Sequence, residues 1–261
     1  VWGGGILSSW GTMDFAGGIV VHATAGTAAL VTALTLGKRR GFPKSITPPH
    51  SPILTMIGAS MLWIGWFGFN AGSALGANGG AGMAMLVTHI SAATASLVWM
   101  FIEWKRFGKP SLIGIVTGMV AGLATVTPAS GYIGVPGGLI LGFLGGLLCY
   151  LAVDYIRGKL QIDDSLDVFA VHGVGGIIGT LLVAFLATST FSGLGLAEGQ
   201  TGTSQFIIQL KAVVLTVIWT SFFTYLILKL TSLVVSLRVD EQEEIEGLDL
   251  RSHGEKGYHS D

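Results

Sequence analysis

Residues 14–22 read Asp-Phe-Ala-Gly-Gly-Ile-Val-Val-His, and residues 164–172 read Asp-Ser-Leu-Asp-Val-Phe-Ala-Val-His. Both stretches place a histidine eight residues after an aspartate, with Val directly before the histidine and small residues three and four positions after it. Each opens a long apolar run, which places His22 and His172 inside predicted membrane-spanning helices. Because ionisable residues are rare and costly within a membrane, these histidines are the first candidates for a functional site.

The composition of the whole chain is that of a membrane protein. Hydrophobic residues make up 51% of the sequence and charged residues only 11%, unlike ordinary soluble domains. Apolar stretches of roughly 17 to 25 residues are candidates for membrane-spanning helices. Seven stretches qualify, at about 14–36, 52–74, 82–102, 111–128, 133–155, 166–190 and 205–236. The sequence therefore predicts an all-α fold, a polytopic bundle of transmembrane helices with seven spans.

The loops predict the orientation of these helices. Lys and Arg follow the first, third and fifth stretches, whereas the loops at 75–81, 128–132 and 191–204 contain neither. Since basic loops are retained on the cytoplasmic side, the first helix is expected to run from outside to inside. The chain then divides into a transmembrane domain, residues 1–238, and an acidic cytoplasmic tail, residues 239–261.

By the same count, the two Asp–His segments cross the membrane in opposite directions and form an inverted-topology repeat. Substrate sites in such folds lie near the bilayer midplane, between the two repeats. Eight residues of helix advance about 12 Å, most of the way to the centre of a hydrocarbon core about 30 Å thick. We therefore expect His22 and His172 to meet, and two adjacent imidazoles can pass a proton while lining a narrow apolar conduit.

The aspartates of the repeat, Asp14 and Asp164, also have a simpler role. A carboxylate at the start of a helix accepts hydrogen bonds from unpaired backbone N–H groups, so both are predicted N-terminal caps. Asp14 lies beside a tryptophan-rich segment at the predicted outer mouth. A second role for it, in attracting or orienting a cation, therefore stays open.

The second predicted helix carries an aromatic face. Trp66, Phe69 and Ser73 are separated by three and four residues, which aligns two rings and a hydroxyl on one side of the helix. Such a face is often only part of a core. If it lines a pore, the rings can hold a small cation by cation–π attraction, and the hydroxyl can accept a hydrogen bond from it.

Several motifs follow one another along the chain. They are Trp-Gly-Gly-Gly at 2–5, Asp-Phe-Ala-Gly-Gly at 14–18, Gly-Trp-Phe-Gly-Phe-Asn-Ala-Gly-Ser at 65–73, Thr-Pro-Ala-Ser-Gly-Tyr-Ile-Gly at 127–134, Asp-Val-Phe-Ala-Val-His-Gly at 167–173, Glu-Gly-Leu-Asp at 246–249 and Ser-His-Gly-Glu at 252–255. Their ordered combination resembles the Amt/Mep/Rh family of ammonium transporters, and its Amt branch in particular. The resemblance implies an eleven-span fold of which this chain is spans five to eleven, so we expect the chain to start inside a longer protein.

The resemblance also implies a role for each matching residue. The implied roles are substrate recruitment by Trp2, Ser73 and Asp14, a gate and pore lining from Phe69, Trp66 and Thr127, and a proton relay in the pore through His22 and His172. Ammonium would be captured at an outer aromatic vestibule, lose its proton, and cross as ammonia past the paired histidines. The implied assembly is a homotrimer in membrane lipids, with a possible PII signal protein at its cytoplasmic face and tail. No enzymatic activity, cofactor, resident metal or nucleic-acid partner is expected.

Three other functions remain compatible with the sequence. An ammonium sensor would bind the ion in the same bundle and signal through the cytoplasmic tail. A retinal protein would use Lys229 in the last span, although a lysine near a helix end more often extends its amine to the interface. A membrane metalloenzyme would need a third ligand beside His22 and His172, and none with suitable geometry is evident.

Overall fold

The computed structural model describes residues 1–257, and this part of the chain contains helices and turns but no strand. The last residues of the predicted tail, 258–261, lie outside it. Within 1–257, six helical segments are long and apolar enough to cross a membrane: Gly18–Leu36, Pro52–Gly72, Gly79–Phe107, Val135–Lys159, Phe169–Leu186 and Gly202–Ser232. A shorter apolar helix, Leu112–Val126, coincides with the other predicted span. The all-α membrane bundle is confirmed, whereas the count of seven spans stays a prediction.

We number the α-helices in chain order. They are α1 (Ile6–Ser9), α2 (Thr24–Leu36), α3 (Pro52–Gly72), α4 (Gly79–Phe107), α5 (Leu112–Val126), α6 (Val135–Asp154), α7 (Val174–Leu186), α8 (Gly202–Ser232) and α9 (Glu241–Glu246). Four π-helical segments accompany them, at Gly18–Ala23, Tyr155–Lys159, Phe169–Gly173 and Asp249–His253, with a 3₁₀ turn at Ser189–Phe191. Two of the π-helical segments lead directly into α2 and α7, so each of these helices has a wider first turn.

Helix α4 is longer than the predicted span at 82–102. At its start, the side chain of Asn78 accepts a hydrogen bond from the Ala81 N–H, at 3.0 Å, and caps the helix. At its end the helix continues through charged residues and stops at Gly108, which adopts the left-handed conformation that glycine tolerates. Hydropathy reports only the apolar part of a helix, which explains the difference.

Helices α4, α5 and α6 pack closely through glycine. A β-carbon added at Gly142 or Gly146 of α6 would lie 2.6 or 2.9 Å from a backbone oxygen of α4, at Ser91 or Ala95 respectively. On the α5 side, the Ser91 hydroxyl donates to the Gly122 carbonyl at 2.8 Å. Small residues let helix backbones approach in this way. The close packing fixes α5, whose last residues lie beside the candidate site.

The two histidine-bearing segments cross at a second set of glycines. A β-carbon at Gly26 would overlap the backbone of Gly173, and one at Gly176 would lie 2.6 Å from Cβ of His22. Helix α8 packs along both α2 and α7. The crossing therefore brings the two halves of the sequence repeat together inside the bundle, as the inverted repeat predicts.

Candidate pore site

Both histidines lie on π-helical turns. His22 belongs to Gly18–Ala23, where its own N–H donates to the Gly17 carbonyl five residues back at 2.9 Å. His172 belongs to Phe169–Gly173, which is likewise closed by a bond across five residues. π-helical turns are rare and occur frequently at functional sites. The repeat seen in the sequence is thus also a repeat in backbone geometry.

The two imidazole rings are in contact. Nδ1 of His22 and Nδ1 of His172 are 3.2 Å apart, and the ring centroids are 5.2 Å apart. A hydrogen bond between two ring nitrogens needs one donor and one acceptor, so one Nδ1 carries a proton and the other does not. In a neutral pair, the ring that donates through Nδ1 has an accepting Nε2, and the other ring has an Nε2 that donates. The pair therefore presents one acceptor and one donor to its surroundings.

The imidazole of His22 has one ring nitrogen without a hydrogen-bond partner in the part of the chain that the structure describes. His22 is only 2% exposed, and its Nε2 has no hydrogen-bond partner among the described residues. Buried polar atoms are nearly always paired with protein or water, because an unpaired one costs about 1–3 kcal/mol. A small molecule that donates or accepts a hydrogen bond would satisfy this nitrogen.

Aromatic rings from α3 surround the histidine pair. Trp66 stacks on His22 with ring centroids 5.3 Å apart and lies 6.4 Å from His172, measured between centroids. Phe69 lies 5.9 Å from His22 and 5.3 Å from Trp66, measured between ring centroids. The indole N–H of Trp66 donates to Oγ1 of Thr127 at 3.0 Å, and Thr127 is completely buried. Trp66, Phe69 and Thr127 therefore form one cluster with the two histidines, although their roles there stay predictions.

Asp14 caps the π-helical turn that carries His22. Its Oδ1 accepts from the N–H groups of Gly17 and Gly18, at 3.0 and 2.6 Å. Its Oδ2 accepts from those of Ile19 and Val20, at 2.9 and 3.1 Å. Both carboxylate oxygens are thus used by the backbone, and the predicted capping role is confirmed. A direct role in recruiting a cation stays a prediction.

The cap of the second repeat is weaker. Oδ2 of Asp164 accepts one backbone N–H, that of Phe169, at 2.7 Å. The neighbouring Asp167 pairs with Arg157 through an ion pair of 2.9 Å. The His22 segment is thus held by four hydrogen bonds to one carboxylate, and the His172 segment by a single bond and an ion pair.

Of the predicted recruitment residues, Trp2 is exposed and Ser73 is half-buried. The indole N–H of Trp2 donates to the backbone carbonyl of Asp14 at 2.9 Å. The hydroxyl of Ser73 donates to the backbone carbonyl of Phe69 at 2.8 Å. Each residue therefore contacts one member of the site, and their hydrogen bonds lead to Asp14 and Phe69 rather than to each other.

Sequence reasoning missed Gln209. This side chain is completely buried in α8 and takes part in four hydrogen bonds, two with Met13, one to Thr180 and one from Gln205. A signal was available, because a glutamine inside an apolar span is costly in the same way as an ionisable residue. It escaped notice since amides do not titrate and only ionisable residues were compared.

Two of the alternative functions, a retinal protein and a membrane metalloenzyme, gain no support from the structure. Lys229 is exposed near the end of α8, with its amine 5.4 Å from the ring of Tyr225. In the part of the chain that the structure describes, no group of three or more His, Cys, Asp or Glu side chains could hold a metal ion. The described residues therefore support neither a retinal protein using Lys229 nor a metalloenzyme using His22 and His172.

The bundle and the contact between His22 and His172 define a multi-pass helical membrane protein with a polar site inside it. A family model described as the Ammonium Transporter Family matches residues 1–258, and the chain belongs to that family. The resemblance predicted from the ordered motifs is thereby confirmed.

Relatives of known name support this assignment. Ammonium transporter Amt1 of Archaeoglobus fulgidus is 48% identical over 259 residues, which cover 99% of this chain and 65% of the relative. An ammonium transporter of Aquifex aeolicus is 46% identical over 99% of this chain and 60% of the relative. The chain thus spans less than two thirds of the length of these relatives.

Solved structures share the fold. One named Sensor Amt Protein superposes with a TM-score of 0.87 at 32% identity, covering 95% of this chain and 62% of that chain. Mep2 of Candida albicans superposes with a TM-score of 0.82 at 36% identity, covering 92% of this chain and 55% of that one. The helical arrangement is therefore that of the Amt and Mep proteins.

Proposed function

We propose that this chain is part of a transporter that moves ammonium or ammonia across the cell membrane, past His22 and His172. The observation that carries the proposal is the 3.2 Å contact between the two Nδ1 atoms, at the buried crossing of the two repeats. Family membership supplies the substrate class. The relatives' own names describe ammonium transporters, which supports transport rather than enzymatic chemistry.

The pathway begins at an outer aromatic vestibule. Moving a bare cation through an apolar constriction costs several kcal/mol or more, whereas a neutral molecule costs far less. Ammonium is captured near Trp2 and Ser73, at a mouth ordered by Asp14, and near Phe69 it gives its proton to the accepting Nε2 of the histidine pair. Ammonia then enters the narrow part of the pore. Potassium has no proton to lose, so this route discriminates against it.

The histidine pair serves as the lining and as a proton relay. Ammonia donates a hydrogen bond to the accepting Nε2 and accepts one from the donating Nε2. When one Nε2 takes up a proton, the proton shared between His22 and His172 shifts, and the other Nε2 releases one. Stacked Trp66, held by Thr127, keeps the His22 ring in the plane that this exchange needs.

We also propose the wider organisation of the protein. Residues 1–238 form the transmembrane transporter domain, and residues 239–261 form a tail on the cytoplasmic side, as the basic loops predict. The complete protein is a homotrimer in the membrane, with one pore in each subunit. The cytoplasmic face and tail offer a surface to a PII signal protein.

A sensor is the second candidate, because one similar structure is named Sensor Amt Protein. The tail here is connected to the site through Arg238, which donates to the carbonyls of Leu36 and Lys38 at the end of α2. The same guanidinium pairs with Glu244 of α9 at 2.7 Å. A change at His22, near the start of α2, could therefore reach the tail without any flux.

The test is ammonium flux through the complete protein in liposomes, in competition with potassium. Replacing both His22 and His172 with alanine is expected to abolish ammonium flux or its selectivity over potassium. His89→Ala is the matched control, because His89 of α4 is exposed, stacks on Trp63 and does not belong to the His22–His172 pair. Unchanged flux and selectivity in the double variant would contradict the proposal. A wild-type protein without flux, whose tail binds a partner only with ammonium, would favour the sensor.

A further inference from the structure

The side-chain amide of Gln209 forms hydrogen bonds with both the backbone N–H and the backbone carbonyl of Met13. Its Oε1 accepts from the Met13 N–H at 2.9 Å, and its Nε2 donates to the Met13 carbonyl at 2.7 Å. Met13 lies in the irregular segment between α1 and the π-helical turn of His22. Backbone groups that are removed from water need partners, and here one side chain of α8 supplies them.

The bond to Met13 continues directly into the site. The next residue is Asp14, whose carboxylate holds the four N–H groups at the start of the His22 segment. The position of Gln209 therefore sets the position of Met13, of the Asp14 carboxylate, and of the turn that carries His22. Each step in this sequence of contacts is a hydrogen bond or a covalent bond.

The third bond of Gln209 reaches the other repeat. Its Nε2 also donates to the carbonyl of Thr180, at 2.9 Å, on the helix that follows His172. One turn earlier in α8, Nε2 of Gln205 donates to Oε1 of Gln209 at 3.2 Å and to the Gly11 carbonyl at 3.0 Å. A single amide, oriented by its neighbour, thus joins α8, the outer repeat and the inner repeat.

Packing alone does not require an amide at this position. A buried methionine has nearly the same volume and length, and it would avoid the cost of removing an amide from water. The amide adds directed bonds between the repeats. Such direction matters at the histidine pair, because the Nδ1 separation of 3.2 Å is already at the long end of hydrogen-bond distances.

We infer that Gln209 is a positioning residue for the pore, which fixes the outer repeat against the inner repeat and so sets the contact between His22 and His172. This role rests on the proposed transport function. Gln209 itself does not touch the permeating molecule.

The experiment compares Gln209→Met and Gln209→Glu in the complete protein. Glutamate keeps the acceptor for the Met13 N–H, whereas methionine removes all four bonds of the Gln209 side chain. The control is Thr216→Val on the same helix, since the Thr216 hydroxyl bonds only within α8, to the Ala212 carbonyl at 2.8 Å. Flux is normalised to the amount of protein that remains folded in gel filtration.

We expect Gln209→Met to lower normalised ammonium flux by about tenfold to a hundredfold, as small misplacements of reacting groups do, and to change its pH profile. Gln209→Glu should fall between this variant and wild type, and Thr216→Val should match wild type. In ¹⁵N-histidine NMR, the ring signals of His22 and His172 should shift in Gln209→Met.

Two results would overturn this role. One is a Gln209→Met protein with wild-type normalised flux and pH profile, which would make the residue purely structural. The other is an unchanged pair of histidine signals, a result that counts even if the wild-type protein carries no ammonium. Absence of wild-type flux alone would instead contradict the proposed function, so the two failures are distinguishable.

Discussion

The indole of Trp66 lies parallel to the imidazole of His22, with 5.3 Å between ring centroids and 10° between ring planes. The two rings come from different parts of the chain, α3 and the π-helical turn before α2. Thr127, at the end of α5, accepts the indole N–H and limits rotation of the indole. The orientation of the His22 ring thus depends on three separate segments.

The Trp66–Thr127 hydrogen bond can be removed from either side. Trp66→Phe and Thr127→Val should each lower the free energy of unfolding by about 1–3 kcal/mol. The first variant removes the donor of the bond, and the second leaves the indole N–H without its acceptor. The double variant should cost less than the sum, since both changes delete the same bond. Thermal unfolding of the four proteins gives this coupling. Thr127→Ser keeps the hydroxyl and should match wild type; additive losses would show that the bond does not link the two residues.

The two aspartates of the repeat should differ in importance. Asp14→Asn leaves one oxygen to serve four N–H groups, whereas Asp164→Asn affects a single bond. Bonds to a charged acceptor are worth about 1.5–3 kcal/mol each, so we expect Asp14→Asn to cost about 2–4 kcal/mol and Asp164→Asn clearly less. Chemical or thermal unfolding in the same detergent measures both. Equal losses would contradict the asymmetry between the Asp14 cap and the Asp164 cap.

Asp167 should make stability depend on pH. The pKa of this carboxyl is raised to about 6, chiefly because it is buried and in part because Asp164 is near, against the lowering effect of Arg157 and Arg39. The folded protein therefore holds this proton more tightly than the unfolded chain does. It follows that the Asp167 contribution to the free energy of unfolding falls as pH rises from about 4 to about 6, and is constant above that range.

Asp167→Asn is the variant that checks this pH dependence. Asparagine tolerates the backbone of Asp167, which has a φ of 55°, and it does not titrate. As pH rises from 4 to 7, the melting temperature of the wild type should include a fall caused by Asp167. The melting temperature of Asp167→Asn should not include this fall. Parallel curves for variant and wild type would contradict the assigned pKa.

The position of Gly176, where the two histidine-bearing segments cross, should tolerate no side chain. A β-carbon at Gly176 would lie 2.6 Å from Cβ of His22 and 2.8 Å from the Gly18 carbonyl oxygen. Overpacking of this kind typically costs about 1–3 kcal/mol, and here it also pushes the histidine turn away from its partner. Gly176→Ala should lower both stability and ammonium flux. Gly82→Ala is the control, because no described atom lies within 4 Å of its added β-carbon.

The sequence alone predicted the helical membrane bundle and the meeting of His22 and His172. Both follow from strong local signals, namely long apolar runs and ionisable residues placed alike in two of them. The caps at Asp14 and Asp164 were also predictable, since a carboxylate before an apolar run has few other uses.

Other features could not be read from the sequence. The π-helical turns depend on how the Asp14 carboxylate and the glycine crossing shape the backbone, which is a tertiary effect. The two bonds between Gln209 and Met13 join residues 196 positions apart, so no local pattern reveals them. Helix α4 extends to Phe107, beyond the predicted span at 82–102, because charged residues continue the helix past its apolar part.

The central claim is that His22 and His172 conduct ammonia as one unit, and the most direct test is ammonium-dependent current through the complete protein in a lipid bilayer. The wild type is compared with His22→Ala, His172→Ala and the double variant, with potassium as the competing ion. Groups that act together give strongly non-additive losses, so each single change should remove about as much ammonium current as both together. A double variant that carries ammonium current at the wild-type level, with wild-type selectivity over potassium, would contradict the claim.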